Sequence, residues 1–269
     1  MNAVLNRISV YAAVGITQAK VRMAYSAWFW ASLFVQTVGL LVMVYFWSAV
    51  YENQTSINGQ NMQQTLNYIM LARMLSGLTN SGIIQRFGQL LNRGELAIEL
   101  LRPVDFQLQN LAQALNRWTT DLVMRWQLWM IALIFFHLQL PSEPLAYLYF
   151  LVSLVLGMVI VFFFEYMIAC IVFLTTESWG LTVLKEGVAS FLSGALIPLT
   201  LMPEWLRTVA NWTPFSKVVY VPASFLSGLT PLAQGPSVLL ELVLWVIGLG
   251  LLSRLVFAHT VKHATIQGG

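Results

Sequence analysis

The run Leu145–Thr175, LAYLYFLVSLVLGMVIVFFFEYMIACIVFLT, constrains this chain more than any other feature, because it carries one charged residue, Glu165. Crossing roughly 30 Å of hydrocarbon takes about 20 mostly apolar residues, and this run is longer than that. The remainder of the chain does not supply polar cover for a soluble fold. Of the 269 residues, 58% are hydrophobic and 9% are charged, whereas a soluble domain carries about 25% charged residues. The class is therefore an all-α polytopic membrane protein, a single domain over 1–269.

Five further stretches approach the length of a span: Tyr25–Val50, Met62–Ile84, Trp118–Leu138, Val183–Leu201 and Val238–Phe257. Met62–Ile84 is the most polar, with Asn67, Arg73, Thr79 and Asn80, yet omitting it leaves an odd count and disrupts the charge asymmetry. With six spans and the N-terminus inside, the inner segments hold Arg7, Lys20, Arg22, Arg86, Arg93, Arg102, Arg117, Arg125, Lys185, Arg254 and Lys262. The outer ones hold Arg207 and Lys217. This excess of basic residues on one side places both termini in the cytoplasm. The net charge of +3 is thus an orientation signal and not a nucleic-acid footprint.

Residues 4–23 are too polar to cross, but Leu5, Ile8, Ala12, Ile16, Ala19 and Met23 recur at steps of three or four. The pattern predicts an amphipathic helix on the inner interface in contact with membrane lipids, rather than a frayed tail. The same region lacks the apolar core and small-residue cleavage site of a signal peptide. Cys170 is the lone cysteine, so no intramolecular disulfide is available. Asn53-Gln54-Thr55 and Asn211-Trp212-Thr213 match the glycosylation sequon, a pattern too short to carry weight.

The longest inner connection reads QRFGQLLNRGELAIELLRPVDFQLQNLAQALNRW. Gly94 interrupts one helix, and Glu95–Leu101 forms a short new one with Leu96, Leu100 and Leu101 on one side. Glu95 suits its N-terminal dipole. Pro103 ends it by disfavouring helical geometry at Arg102, and Asp105 is placed to cap the next helix. Two readings fit: an interfacial connector, or a helix seated in a groove on another protein.

Ionisable residues at membrane depth are costly and mark candidate functional positions. Counted at 1.5 Å per residue, Arg73 lies about 18 Å and Glu165 about 15 Å from the inner ends of their spans. The two are expected to pair, either as a register-fixing ion pair or beside a substrate path. Arg73, Ser76, Gly77, Asn80 and Ser81 make one polar stripe. In the fifth span, Ala189 with Ser193 and Ser190 with Gly194 provide small-residue faces for close helix packing.

From Leu199 to Pro236 the chain leaves the fifth span without becoming polar. Glu204–Trp212 is expected as a short helix with Trp205, Leu206, Val209 and Trp212 on its apolar side. Pro214 breaks it before Phe215, and Val218–Leu226 makes a second short piece. Such segments fit the outer leaflet as re-entrant helices joined at Pro198, Pro203 and Pro214, with their Trp and Tyr at interfacial depth.

These parts, with RGELAIELLRPVD and FLTTESWGLTVLKEGVASFLSGALIPLTLMPEWLRTVANWTPF, resemble the ABC-2-type exporter permeases, in the branch with a GxL…LLRP loop and an FLSG…IPL…P motif. The resemblance covers nearly the whole chain. It implies six spans in a bacterial cytoplasmic membrane, two permease subunits (identical or paralogous) and two ATPase subunits. ATP and Mg would sit on the partner ATPase and no cofactor on this chain. Gly94, Glu95, Leu96, Glu99, Leu100, Leu101, Arg102 and Pro103 would be its coupling helix. Ser193, Gly194, Pro198, Pro203, Trp205, Trp212, Pro214 and Phe215 would form the packing face and outer re-entrant gate. The resemblance leaves the substrate open among lipid-like, drug, peptide and glycan cargoes.

No GxxxxGK[ST] occurs, in keeping with an ATPase on another subunit. A membrane enzyme would need clustered His, Asp or Cys, but His137, His259 and His263 are scattered, no HExxH occurs, and no metal site is expected. A secondary transporter would show inverted repeats and midplane carboxylates, for which the halves give no sign. A non-transporting sensor or immunity subunit of an ABC complex remains an alternative.

Overall fold

The long apolar runs are helical over their full length, and the more polar stretches between them break into shorter helices. The computed structural model describes residues 26–175 and 177–263. The expected amphipathic helix at 4–23 lies outside them.

The first helix, α1 (Ser26–Val50), leads to a small antiparallel hairpin, β1 (Ser56–Ile57) and β2 (Gln60–Asn61). Asn58 and Gly59 turn it with positive φ, as a tight hairpin requires. Asn61 then caps α2 (Met62–Leu75) in a reciprocal box with Gln64. A 3-10 turn at Ser76–Thr79 and a break at Asn80–Gly82 separate α2 from α3 (Ile83–Asn92). Next come α4 (Leu96–Leu100), α5 (Phe106–Met124) and α6 (Trp126–Ile134), the last two hinged at Arg125. The long α7 (Pro144–Thr175) is followed by α8 (Trp179–Leu192). Then come the short helices α9 (Glu204–Asn211), α10 (Pro214–Val218) and α11 (Tyr220–Leu226), followed by the long α12 (Gly235–Thr260).

Three helices among the described residues are long and apolar enough to cross a membrane: Trp30–Val50 within α1, Pro144–Thr175, and Leu232–Thr260 with its leading 3-10 turn. The other three expected stretches are interrupted. Met62–Ile84 is cut at Asn80–Gly82, and Trp118–Leu138 is hinged at Arg125. Val183–Leu201 stops at Leu192 because Gly194 turns left-handed with φ +82, the usual glycine ending of a helix. Helix α8 has 14 residues, which is about 21 Å of rise and short of a bilayer core.

Helix α7 is the axis of the packing, touched by α3, α10, α11 and α12. Ile160, Val161, Phe162, Tyr166, Ala169 and Phe173 are buried along it. Phe87 of α3 stacks on Phe173 at 5.0 Å, and Phe106 of α5 stacks on Phe257 of α12 at 5.5 Å. By contrast Phe34, Val42 and Phe46 of α1 and Leu244, Leu251 and Leu255 of α12 face outward. Such outward apolar faces suit helices solvated by lipid.

Candidate functional site

A helix broken at membrane depth frees backbone groups that hydrocarbon cannot satisfy, so they must be met by protein or by a water-lined cavity. The break at Asn80–Gly82 is met by side chains from three other helices. Glu165 of α7 accepts from the Ser81 N–H at 2.6 Å and also from the Ser81 hydroxyl. Lys185 of α8 donates to the Thr79 carbonyl at 3.0 Å, and Trp118 of α5 donates its indole N–H to the Asn80 carbonyl at 2.9 Å. Asn80 Oδ1 accepts from the Gly82 N–H at 2.8 Å. Gly82 holds φ +78, a conformation that glycine adopts without steric cost.

Lys185 Nζ lies 2.5 Å from Glu165 Oε1, with the side chains 2% and 1% exposed. This pair corrects two expectations. Glu165 does not pair with Arg73, and Lys185 is not a loop charge. The spacing of Thr182, Lys185 and Ala189 carries the missed signal: they recur at three and four and are the buried residues of α8. A basic residue on the apolar stripe of a helix calls for a buried partner.

In front of this pair opens a polar cleft of about 370 Å³ between α2, α5, the Arg125 hinge and α8. Arg73, Asn80 and Ser193 line it, together with Arg117, Arg125 and Glu186. A second cavity of about 230 Å³ shares Arg117 and reaches Gln85, Gln89 and Asn110 beside α3. The two lie alongside the broken helix, with Arg117 in the lining of both. Each arginine lies on a glycine: a Cβ at Gly39, Gly77 or Gly82 would overlap the guanidinium of Arg73, Arg125 or Arg117 respectively. The absent side chains make room for three cations. Arg117 and Arg125 read as loop charges by sequence position alone, which is why composition missed them.

In the connection from α3 to α5, Gly94 turns with φ +67 and Glu95 sits at the N-cap of α4. Glu99 of α4 pairs with Arg102 at 3.1 Å and Arg86 at 3.6 Å, and accepts from Gln109 at 2.8 Å. Leu96 is buried while Leu101 is 83% exposed. Leu96, Leu100 and Leu101 therefore do not share one environment: five positions along a helix is about 140° from eclipsed at 3.6 residues per turn. Ile98 and Val104 are exposed with Leu101. Pro103 follows the turn, and Asp105 caps α5 through Leu108 at 2.9 Å.

Past the end of α8, Ser193 is buried and the Gly194 carbonyl accepts from Tyr68 of α2 at 2.9 Å. Ser190 is exposed, so only part of the small-residue face packs within this chain. Pro198 precedes a 3-10 turn at Leu199–Leu201, and Pro203 precedes α9. Trp205 and Trp212 of the α9 segment are exposed. Pro214 opens α10, whose Phe215 meets Phe164 edge-on at 5.3 Å. The α10 backbone passes over Gly157 of α7 so closely that a Cβ there would overlap the Lys217 carbonyl. Lys217 is buried and reaches Glu241 of α12 at 2.6 Å.

A family model described as ABC-2 family transporter protein matches residues 37–268. The chain belongs to the ABC-2 transporter family. None of the curated proteins compared with it matches. As an ABC-2 permease it is a multi-pass membrane component of an ABC transporter.

Proposed function

We propose that this chain is the permease subunit of an ATP-driven exporter in a bacterial cytoplasmic membrane. It has six membrane passages, with both termini cytoplasmic, and it works beside a second permease and two ATPase subunits that carry ATP and Mg. The observation that carries the reading is α4. Leu96, the Arg86–Glu99 ion pair and the Gln109 amide on Glu99 fix it to α3 and α5, while Ile98, Leu101 and Val104 face away from the permease. A short anchored helix with an outward apolar edge fits a groove on a partner, here the ATPase. ATPase closure would then move α4, and with it α3 and the break at Asn80–Gly82 that borders the cleft. The outer helices α9 to α11, entered at Pro203 and Pro214, would form the gate on the far side.

The test is a mild-detergent pull-down of the tagged chain compared with Leu101→Glu. An ATPase and a second permease should accompany the parent protein. The variant, altered at an exposed position, should insert normally but lose the ATPase by tenfold or more. A chain that purifies without any ATPase, or a variant that keeps both its ATPase and transport-stimulated hydrolysis, would sink the reading.

A further inference from the structure

A cavity of about 630 Å³ lies between the end of α9 and one face of α12. It shares no lining residue with the two cavities beside Asn80–Gly82. On α12 the lining runs through Glu241, Leu244, Trp245, Gly248 and Leu252, a spacing of three and four that keeps to one side of a helix. From Glu241 to Leu252 is about 16 Å at 1.5 Å per residue. Gly248 is an open floor, where an added Cβ meets no atom within 4 Å. Asn211 and Trp212 line the cavity from α9. Trp212 and Leu244 are exposed, so the cavity is a groove open on the face that α12 turns to lipid. Its polarity is graded along α12: the carboxylate and the Trp245 indole stand at one end, and Gly248 to Leu252 offer only aliphatic or bare surface.

Lys217 holds Glu241 from the protein side. Its ammonium meets Oε1 at 2.6 Å and lies 5.9 Å from the centre of the Trp245 ring. Lys217 is buried and outside the lining, while Glu241 is half exposed, so the groove presents the carboxylate. Lys217 weakens that charge without cancelling it. Coulomb energy falls as 1/r, so a second ammonium about 3 Å from the carboxylate and about 6 Å from Lys217 keeps about half of the attraction. Indole faces add to it, because Trp is the strongest cation–π partner among the aromatic side chains. Arg207, the other basic residue between Pro198 and Pro236, is not in the lining. An anionic head would be repelled here, and a neutral one would gain neither term.

We infer that this groove binds a cationic amphiphile drawn from the bilayer, its ammonium at Glu241 beside the indoles and its aliphatic chain laid over Gly248 toward Leu252. The volume falls within the roughly 300–1,000 Å³ of small-molecule sites, which are mostly apolar with a few placed polar groups. Counting that molecule as cargo rests on the permease reading; its binding does not.

The experiment uses the full chain in neutral-detergent micelles with radiolabelled octadecylamine, and with octadecanol and stearate as neutral and anionic probes of equal chain length. The amine should be retained at least tenfold better than either. Gly248→Leu fills the floor without a clash and should lower amine retention tenfold or more. Glu241→Gln should bring the amine down to the level of the alcohol and leave the alcohol unchanged. Should that variant fail to fold, because it strands Lys217, Trp212→Ala decides: it alters an exposed side chain and should cost the amine several-fold. Leu251→Ala, exposed on α12 but outside the lining, should cost nothing. Retention of the alcohol or stearate equal to that of the amine would overturn the inference. So would unchanged binding in Gly248→Leu, or equal losses in Leu251→Ala and Trp212→Ala. A parent dimer that Gly248→Leu splits into monomers would give the groove to a second copy and overturn it too. Co-purification of an ATPase judges the permease reading separately.

Discussion

Two regions of this molecule interrupt their helices, and each is held by a lysine and a glutamate, but the two pairs live in different surroundings. At the Asn80–Gly82 break, Glu165 and Lys185 are both almost fully buried. At the α9–α11 segment, Lys217 is 5% exposed while Glu241 is 52% exposed. A third pair, Arg254 with Asp105, lies at the surface with side chains 56% and 35% exposed. Burial, and not distance, separates them, since all three contacts fall between 2.5 and 2.9 Å. In the first case each charge depends on the other for solvation. In the second one partner keeps its own water, and in the third both do.

That gradient can be broken by mutation. Glu165→Gln and Lys185→Met should each destabilise the protein by about 3–5 kcal/mol, because each leaves one charge buried alone. The double variant should recover most of that loss. Thermal unfolding in detergent checks it, and a double variant as unstable as the singles would show that Ser81 and Thr79, not the ion pair, hold the break. Lys217→Met should cost less, about 1–2 kcal/mol, since Glu241 remains hydrated; its contact with the face of Trp245 at 5.9 Å is lost as well. A cost equal to that of the inner pair would erase the distinction between the regions.

Smallest is the effect at Asp105, where Asp105→Ala should lose about 1 kcal/mol, mostly from the helix cap. The N–H of Leu108, and secondarily Arg254, hold its carboxyl below the usual range. A depressed carboxylate favours the folded state above its unfolded pKa of about 3.9. That contribution disappears as pH falls through the lower folded value. An acid titration of unfolding should therefore flatten below pH about 4 in the variant relative to the parent.

Much of this architecture is legible in residue order. The apolar runs mark α1, α7 and α12, and Pro203 and Pro214 mark where the outer helices begin. Asp105 is recognisable as a cap because a short acid precedes an amphipathic helix. The inner site is less legible. Arg73 and Asn80 announce themselves as polar residues in an apolar setting, but the partner of Glu165 depends on which face of α8 turns inward. Depth counting matched Glu165 to Arg73 because it treated the second span as a continuous rod. With the chain unwound at Asn80–Gly82, that depth carries backbone groups in need of partners, and Ser81 takes the carboxylate instead. Arg117 and Arg125 were hidden for the opposite reason. Their seats are glycines far away in sequence, and an absent side chain leaves no pattern to read.

Gly157 and Glu165 sit eight positions apart on one straight helix, about 12 Å at 1.5 Å per residue. One touches the backbone of the outer segment and the other grips the inner break. Helix α7 is therefore a rocker arm with both loads attached near its middle. Its 32 residues make a beam about 48 Å long. Pivoting it by about 5° about one end carries the other about 4 Å, while the two loads, so near one another, travel almost together. A displacement at one end of such a beam reaches the other without any side chain having to relay it.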